Sequence, residues 1–102
     1  MQNEPGSADF AARVHQTFQI HYGARSGELA QRAVELIDVS ELAPAGATGR
    51  EQFSLIFCDP DASAYLPQHI YPVEHETLGR MEIFLVPIGP GPDGMRYQAI
   101  FS

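Results

Sequence analysis

The chain has no lysine, and its 6 basic residues (Arg13, Arg25, Arg32, Arg50, Arg80 and Arg96) stand singly against 13 acidic ones, giving a formal net charge of −7. Nucleic acids and anionic membranes are held by clustered Lys and Arg, so neither is an expected partner. Cys58 is the single cysteine, which excludes an intramolecular disulfide and a thiolate cluster for zinc or iron–sulfur binding. Set in an apolar run, it reads as a small core residue. No apolar run approaches the ~18 to 20 residues that cross a bilayer, and Met1 to Gly6 lacks the basic and apolar regions of a signal peptide. The expected compartment is the cytoplasm.

What is present suits one small domain. Of 102 residues, 44% are apolar and 19% charged, a globular balance with enough length for one modest core. Residues 1–7 are polar and carry Pro5 and Gly6, so they read as a flexible lead-in, and 8–102 as a single β-rich domain.

Asp9 is placed to cap a short helix over Phe10 to His15, with Phe10 and Val14 four residues apart on one face. Thr17 to Tyr22 then alternates, with Phe18, Ile20 and Tyr22 on one side, and Gly23 ends the strand. Glu28 to Leu42 is ambiguous. Leu29, Ala33, Leu36 and Ile37 satisfy helical spacing, while Val34 with Leu36, then Ile37 with Val39, fit a bulged strand. Pro44 to Gly49 reads as an exposed loop. Phe53 to Cys58 is a strand stopped by the turn chemistry of Asp59-Pro60-Asp61.

Gln68 to His75 reads as an edge strand, because Pro72 lacks the N–H that a central ladder needs. Glu76 to Gly79 is a hairpin turn into a strand over Arg80 to Ile88, and Gly89 to Gly94 is a glycine-punctuated loop. The last strand, Met95 to Phe101, places Met95, Tyr97, Ala99 and Phe101 on one face. The expected class is mainly β, a small antiparallel barrel or two-layer sheet of about five or six strands with a short N-terminal helix.

Motifs that carry chemistry are absent. His69, Glu74, His75 and Glu76 form the densest ionisable group, but on an extended chain they alternate between faces, and no second His stands at i, i+4. His15 and His21 read as surface or half-buried residues. Ser54 and Cys58 lack a nucleophile context, the Gly89 to Gly94 loop lacks a P-loop ending, and Asp59 and Asp61 lack the rest of a calcium loop. No catalytic residue, metal site or cofactor is therefore assigned. Tyr65, Tyr71 and Tyr97, with His69 and His75, are the candidates for an interaction surface, since tyrosine offers area with a polar tip.

Phe53 to Phe57, Leu66-Pro67-Gln68, Tyr71, Val73-Glu74-His75, Leu78-Gly79, Glu82 to Gly89 and Gly94 to Phe101 resemble an uncharacterised bacterial family, the DUF6916 domain of unknown function. The resemblance covers residues 53 to 101 most fully. It implies strand alternation over Glu28 to Leu42, although Gln31-Arg32-Ala33 departs from that pattern. It also implies an association with phage-tail-collar-like genes, and it transfers no catalytic residue. The expectation is a non-enzymatic structural or protein-interaction module, accessory to a phage-tail-like or surface assembly, with a protein partner or self-association. The alternatives are a small-molecule-binding β-barrel and a metal-dependent enzyme using His69 and His75. A deep apolar cavity would favour the binder, and a filled interior would rule it out.

Overall fold

A computed structural model describes residues 6–23, 27–43, 52–61 and 66–101. These form a helix, α1 (Ser7–Ala11), and the strands β1 (Thr17–Gly23), β2 (Leu29–Ala43), β3 (Gln52–Asp59), β4 (His69–His75), β5 (Gly79–Gly91) and β6 (Gly94–Phe101). The strands close into an antiparallel barrel in the order β1-β2-β3-β6-β5-β4. The barrel and the short N-terminal helix match the expected class. No helix among the described residues is long and apolar enough to cross a membrane.

Closure depends on two long strands that change partners. β2 pairs with β1 through Leu29 to Glu35, then with β3 from Glu35 onward; β5 pairs with β4 through Gly79 to Leu85, then with β6 from Val86. Each carries a bulge. Leu36 faces Phe57 and Asp38 faces Ile56, leaving Ile37 as the extra residue, and Ile88 is likewise skipped between Pro87 and Gly89. A bulge bends its strand and shifts the side-chain alternation by one. That shift explains why the inward row of β2 runs Val34, Leu36 and then Val39, and the ambiguous segment is strand from Leu29 onward.

The interior is filled. Phe18 and Ile20 from β1, Val34 and Leu36 from β2, Leu55 and Phe57 from β3, Val73 from β4, Ile83 and Leu85 from β5 and Tyr97 from β6 are buried on one another. Fully burying such a side chain stabilises the fold by roughly 1.5 to 3 kcal/mol. Phe10 of α1 plugs one end, its ring centroid 5.9 Å from Phe53, 5.6 Å from Phe101 and 6.3 Å from Phe18.

Several local expectations are corrected. The helix starts at Ser7, inside the stretch assigned to the lead-in, and Gly6 is its N-cap; Asp9 sits in the first turn and accepts the Gly6 N–H at 2.8 Å. The chain then turns through His15, at φ +74°, rather than continuing as helix to that residue. β5 extends through Gly91, so the expected Gly89 to Gly94 loop shrinks to Pro92 and Asp93, with Gly91 facing Gly94. β4 is a wall strand, paired along its length with β5 and briefly with β1. The Pro44 to Gly49 loop lies outside the described residues.

Candidate functional site

The expected tyrosine and histidine surface does not form as one face. Tyr97 is fully buried, and its hydroxyl accepts the Leu66 N–H at 2.8 Å. Tyr71 is buried too and donates to the Pro67 carbonyl, and burial together with the neighbouring Tyr97 raises its pKa, keeping the phenol a donor. His75 is buried, whereas His69 is exposed. Tyr65 lies outside the described residues. Alternation is the cause: Tyr71 and His75 belong to the inward row of β4, and Tyr97 to that of β6.

His69 and His75 also cannot share a metal, because they open and close β4, about 20 Å apart at ~3.3 Å per residue. Among the described residues no group of three or more His, Cys, Asp or Glu is placed to hold a metal ion. His75 instead ties the α1–β1 connection to the β4–β5 hairpin. Its Nδ1 accepts the N–H groups of Thr77 and Leu78 at 3.1 and 3.2 Å, so the proton sits on Nε2, which donates to Gln16 Oε1 at 2.7 Å. The Thr77 hydroxyl lies 3.1 Å from the same Nδ1 and accepts Arg13 Nε–H at 3.1 Å. Burial, then the Arg13 guanidinium, lowers the His75 pKa and holds the ring neutral.

At the opposite end of the barrel, Arg32 and Asp59 form a rim pair that sequence reasoning missed. Arg32 Nη1 lies 3.2 Å from Asp59 Oδ2, and the guanidinium carbon stands 5.5 Å from the Tyr22 ring centroid. Asp59 is 1% exposed, and its other oxygen accepts the Asp61 N–H at 2.9 Å, as the expected turn chemistry requires. The signal available was register: Arg32 continues the inward row of Val34 and Leu36, and Asp59 that of Leu55 and Phe57. Gly94 lets the start of β6 lie against the Asp59 backbone, because a Cβ there would stand 2.0 Å from the Asp59 carbonyl oxygen.

Cys58, His15 and His21 are engaged locally. Cys58 donates to the Asp93 carbonyl at 3.4 Å, and burial, then Asp93, pushes its thiol pKa up, away from a nucleophilic thiolate. His15 and His21 are separate, His15 Nδ1 lying 2.8 Å from Glu35 and His21 Nε2 3.0 Å from Glu74. A shallow hollow of about 500 Å³ over the outer wall includes His15, Glu35, Cys58 and Arg96 among its lining residues.

The remaining feature is the seam where the barrel closes. β1 and β4 pair only as Gln19 with Glu74 and Ile20 with Val73. Beyond Val73 comes Pro72, which has no N–H to offer a neighbour. A hollow of about 320 Å³ opens there, between His21, Tyr22 and Gly23 on one strand and His69 to Pro72 on the other. Beside it, on the outer face, Ile70 faces Phe84 across the β4–β5 ladder, 55% and 49% exposed. Single exposed apolar residues are ordinary, but a cross-strand pair next to an interrupted ladder offers both apolar area and strand edge.

The family model described as a domain of unknown function, DUF6916, matches residues 5–101. No curated protein and no solved structure matches the chain. The chain belongs to the DUF6916 family.

Proposed function

We propose that this DUF6916 domain is a non-enzymatic interaction module, accessory to a larger assembly such as a phage-tail-like or surface structure. The interrupted β1–β4 ladder, with the exposed Ile70 and Phe84 beside it, carries the reading. Exposed strand edge and apolar surface are the two features through which sheet proteins recruit another chain, by strand addition or by covering a patch. A second copy of the protein offers the same surfaces, so self-association belongs to the same reading.

Photo-crosslinking tests it. A photoreactive phenylalanine analogue at position 84, in the native host, should capture a defined protein, or the protein itself, while the same group at Glu41, on the far part of β2, should not. Equal labelling at the two positions, or none at either, would refute the reading.

A second reading, a small-molecule binder, is favoured by Tyr22, Tyr71, His21 and His69 around the seam hollow, whose volume is at the low end for ligand pockets. Against it stands the filled barrel interior.

A further inference from the structure

The seam hollow is a gap in the sheet itself. Tyr22 and Tyr71 belong to the inward rows of their strands and His21, Ile70 and Pro72 to the outward rows, yet all line it. Neighbouring side chains on a strand point to opposite faces, so one cavity meets both rows only where a length of ladder is missing. The gap is closed at one end by the Ile20–Val73 and Gln19–Glu74 pairs. Among the described residues it opens at the rim, where β1 ends at Gly23 and β4 begins at His69. His21 to Gly23 flank it on one side and Ile70 to Pro72 on the other, so the missing ladder is about three residues, or ~10 Å, long. A through-going segment has no exit there. A chain terminus needs none.

Charge selects which terminus. In a chain with 13 acidic and 6 basic residues, no Asp or Glu among the described residues lines this gap, while His21, His69 and Arg80 do. Arg80 faces Glu74 in the β4–β5 register, which puts it beside the closed end, and it makes no hydrogen bond or ion pair among the described residues. Glu74 is held by His21 instead, at 3.0 Å. A cation at the closed end of a slot about three residues deep complements a terminal carboxylate, and it would repel an amino terminus. Leu29, 93% exposed, and Ile70 supply apolar contact toward the rim.

We infer that the gap captures the free carboxyl end of a partner protein. Its last three residues add as a short strand between β1 and β4, the terminal carboxylate meets Arg80, and an apolar side chain near the end packs on Ile70 and Leu29. This names the partner chemistry of the seam and rests on the interaction reading above.

The test is selection of random heptapeptides displayed with free carboxyl ends on the purified full chain. Fluorescence polarisation then compares each enriched peptide as the free acid, as the amide, and with three residues added at its end. The free acid should bind at least about tenfold tighter than either modified form. Arg80→Gln should erase that difference, and Arg96→Gln, which removes the partner of Asp93 on the β5–β6 hairpin, should preserve it, with both variants melting close to the parent. No enrichment, or binding indifferent to amidation, to extension or to Arg80, overturns the inference. If the crosslinker at position 84 still captures a defined protein in that case, the carboxyl-end assignment fails alone; if it captures none, the interaction reading fails with it.

Discussion

Around most of the wall the ladders run the length of the strands, with β1 and β2, β3 and β6, and β4 and β5 each paired at seven positions, whereas β1 and β4 meet at two. The fully laddered wall encloses Phe18, Leu55, Phe57 and Leu85, each sealed from solvent. The seam leaves Ile70 and Phe84 exposed beside a gap. The two regions are built from similar residues, and the difference is one of pairing. Where backbone groups satisfy one another, side chains are free to serve the core; where the ladder stops, backbone and apolar side chains remain available to another chain.

The largest expected effect of a mutation lies in the wall. Phe57→Ala should lower unfolding free energy in urea by about 3 to 5 kcal/mol, because it deletes a fully buried ring that meets Phe18 edge-on at 5.3 Å. A loss under about 1 kcal/mol would mean that the core collapses around the cavity and the wall is less rigid than its pairing implies.

The rim pair comes next. Asp59→Ala removes the countercharge of Arg32 and the acceptor of the Asp61 N–H, and breaking such a pair typically costs about 3 kcal/mol or somewhat more. Arg32 is 19% exposed and can turn toward water, so Arg32→Ala, which leaves the enclosed carboxylate without its countercharge, should cost the more of the two. Melting the two single variants and the double variant measures the coupling.

Acidification should loosen the end held by His75. Its pKa in the folded chain lies below the ordinary value of 6.5, so the unfolded chain binds the proton more readily. The stabilisation is complete above about pH 6.5, is lost progressively as pH falls, and levels off below the lowered pKa of the folded state. Chemical denaturation between pH 7.5 and 5 should show this slope, and His75→Gln should flatten it.

The smallest change belongs to the seam. Ile70→Thr combined with Phe84→Thr should alter stability by no more than about 0.5 kcal/mol per site, since both side chains already face water. Crosslinking to a partner should nevertheless be lost. If instead the double variant unfolds as readily as Phe57→Ala, the seam is part of the core and the contrast between the two regions is void.

Much of the wall was legible in the residues. Phe18 with Ile20, and Met95 with Tyr97 and Ala99, alternate cleanly, and the structure buries each of them. The bulge in β2 was visible as a change of phase between Leu36 and Ile37, though helical spacing competed until pairing with Phe57 and Ile56 decided it. The candidate surface was legible only in part. Tyr71, Tyr97 and His75 carry polar tips that suit an interface equally well as a core, and only the inward rows of β4 and β6 show that these tips serve local backbone and side-chain partners. Arg32 and Asp59, 27 positions apart, could be matched only once β2 and β3 lay side by side.

The sequence by itself determined the class of the protein: strand alternation, turn residues at Gly79 and Asp59 to Asp61, and an acidic, lysine-free surface are local properties that each short segment carries alone. Only the tertiary structure decided where the barrel closes and where it fails to. That outcome depends on how the bends of β2 and β5 bring β1 back to β4, and pairing between strands that meet more than fifty residues apart is written in no single segment.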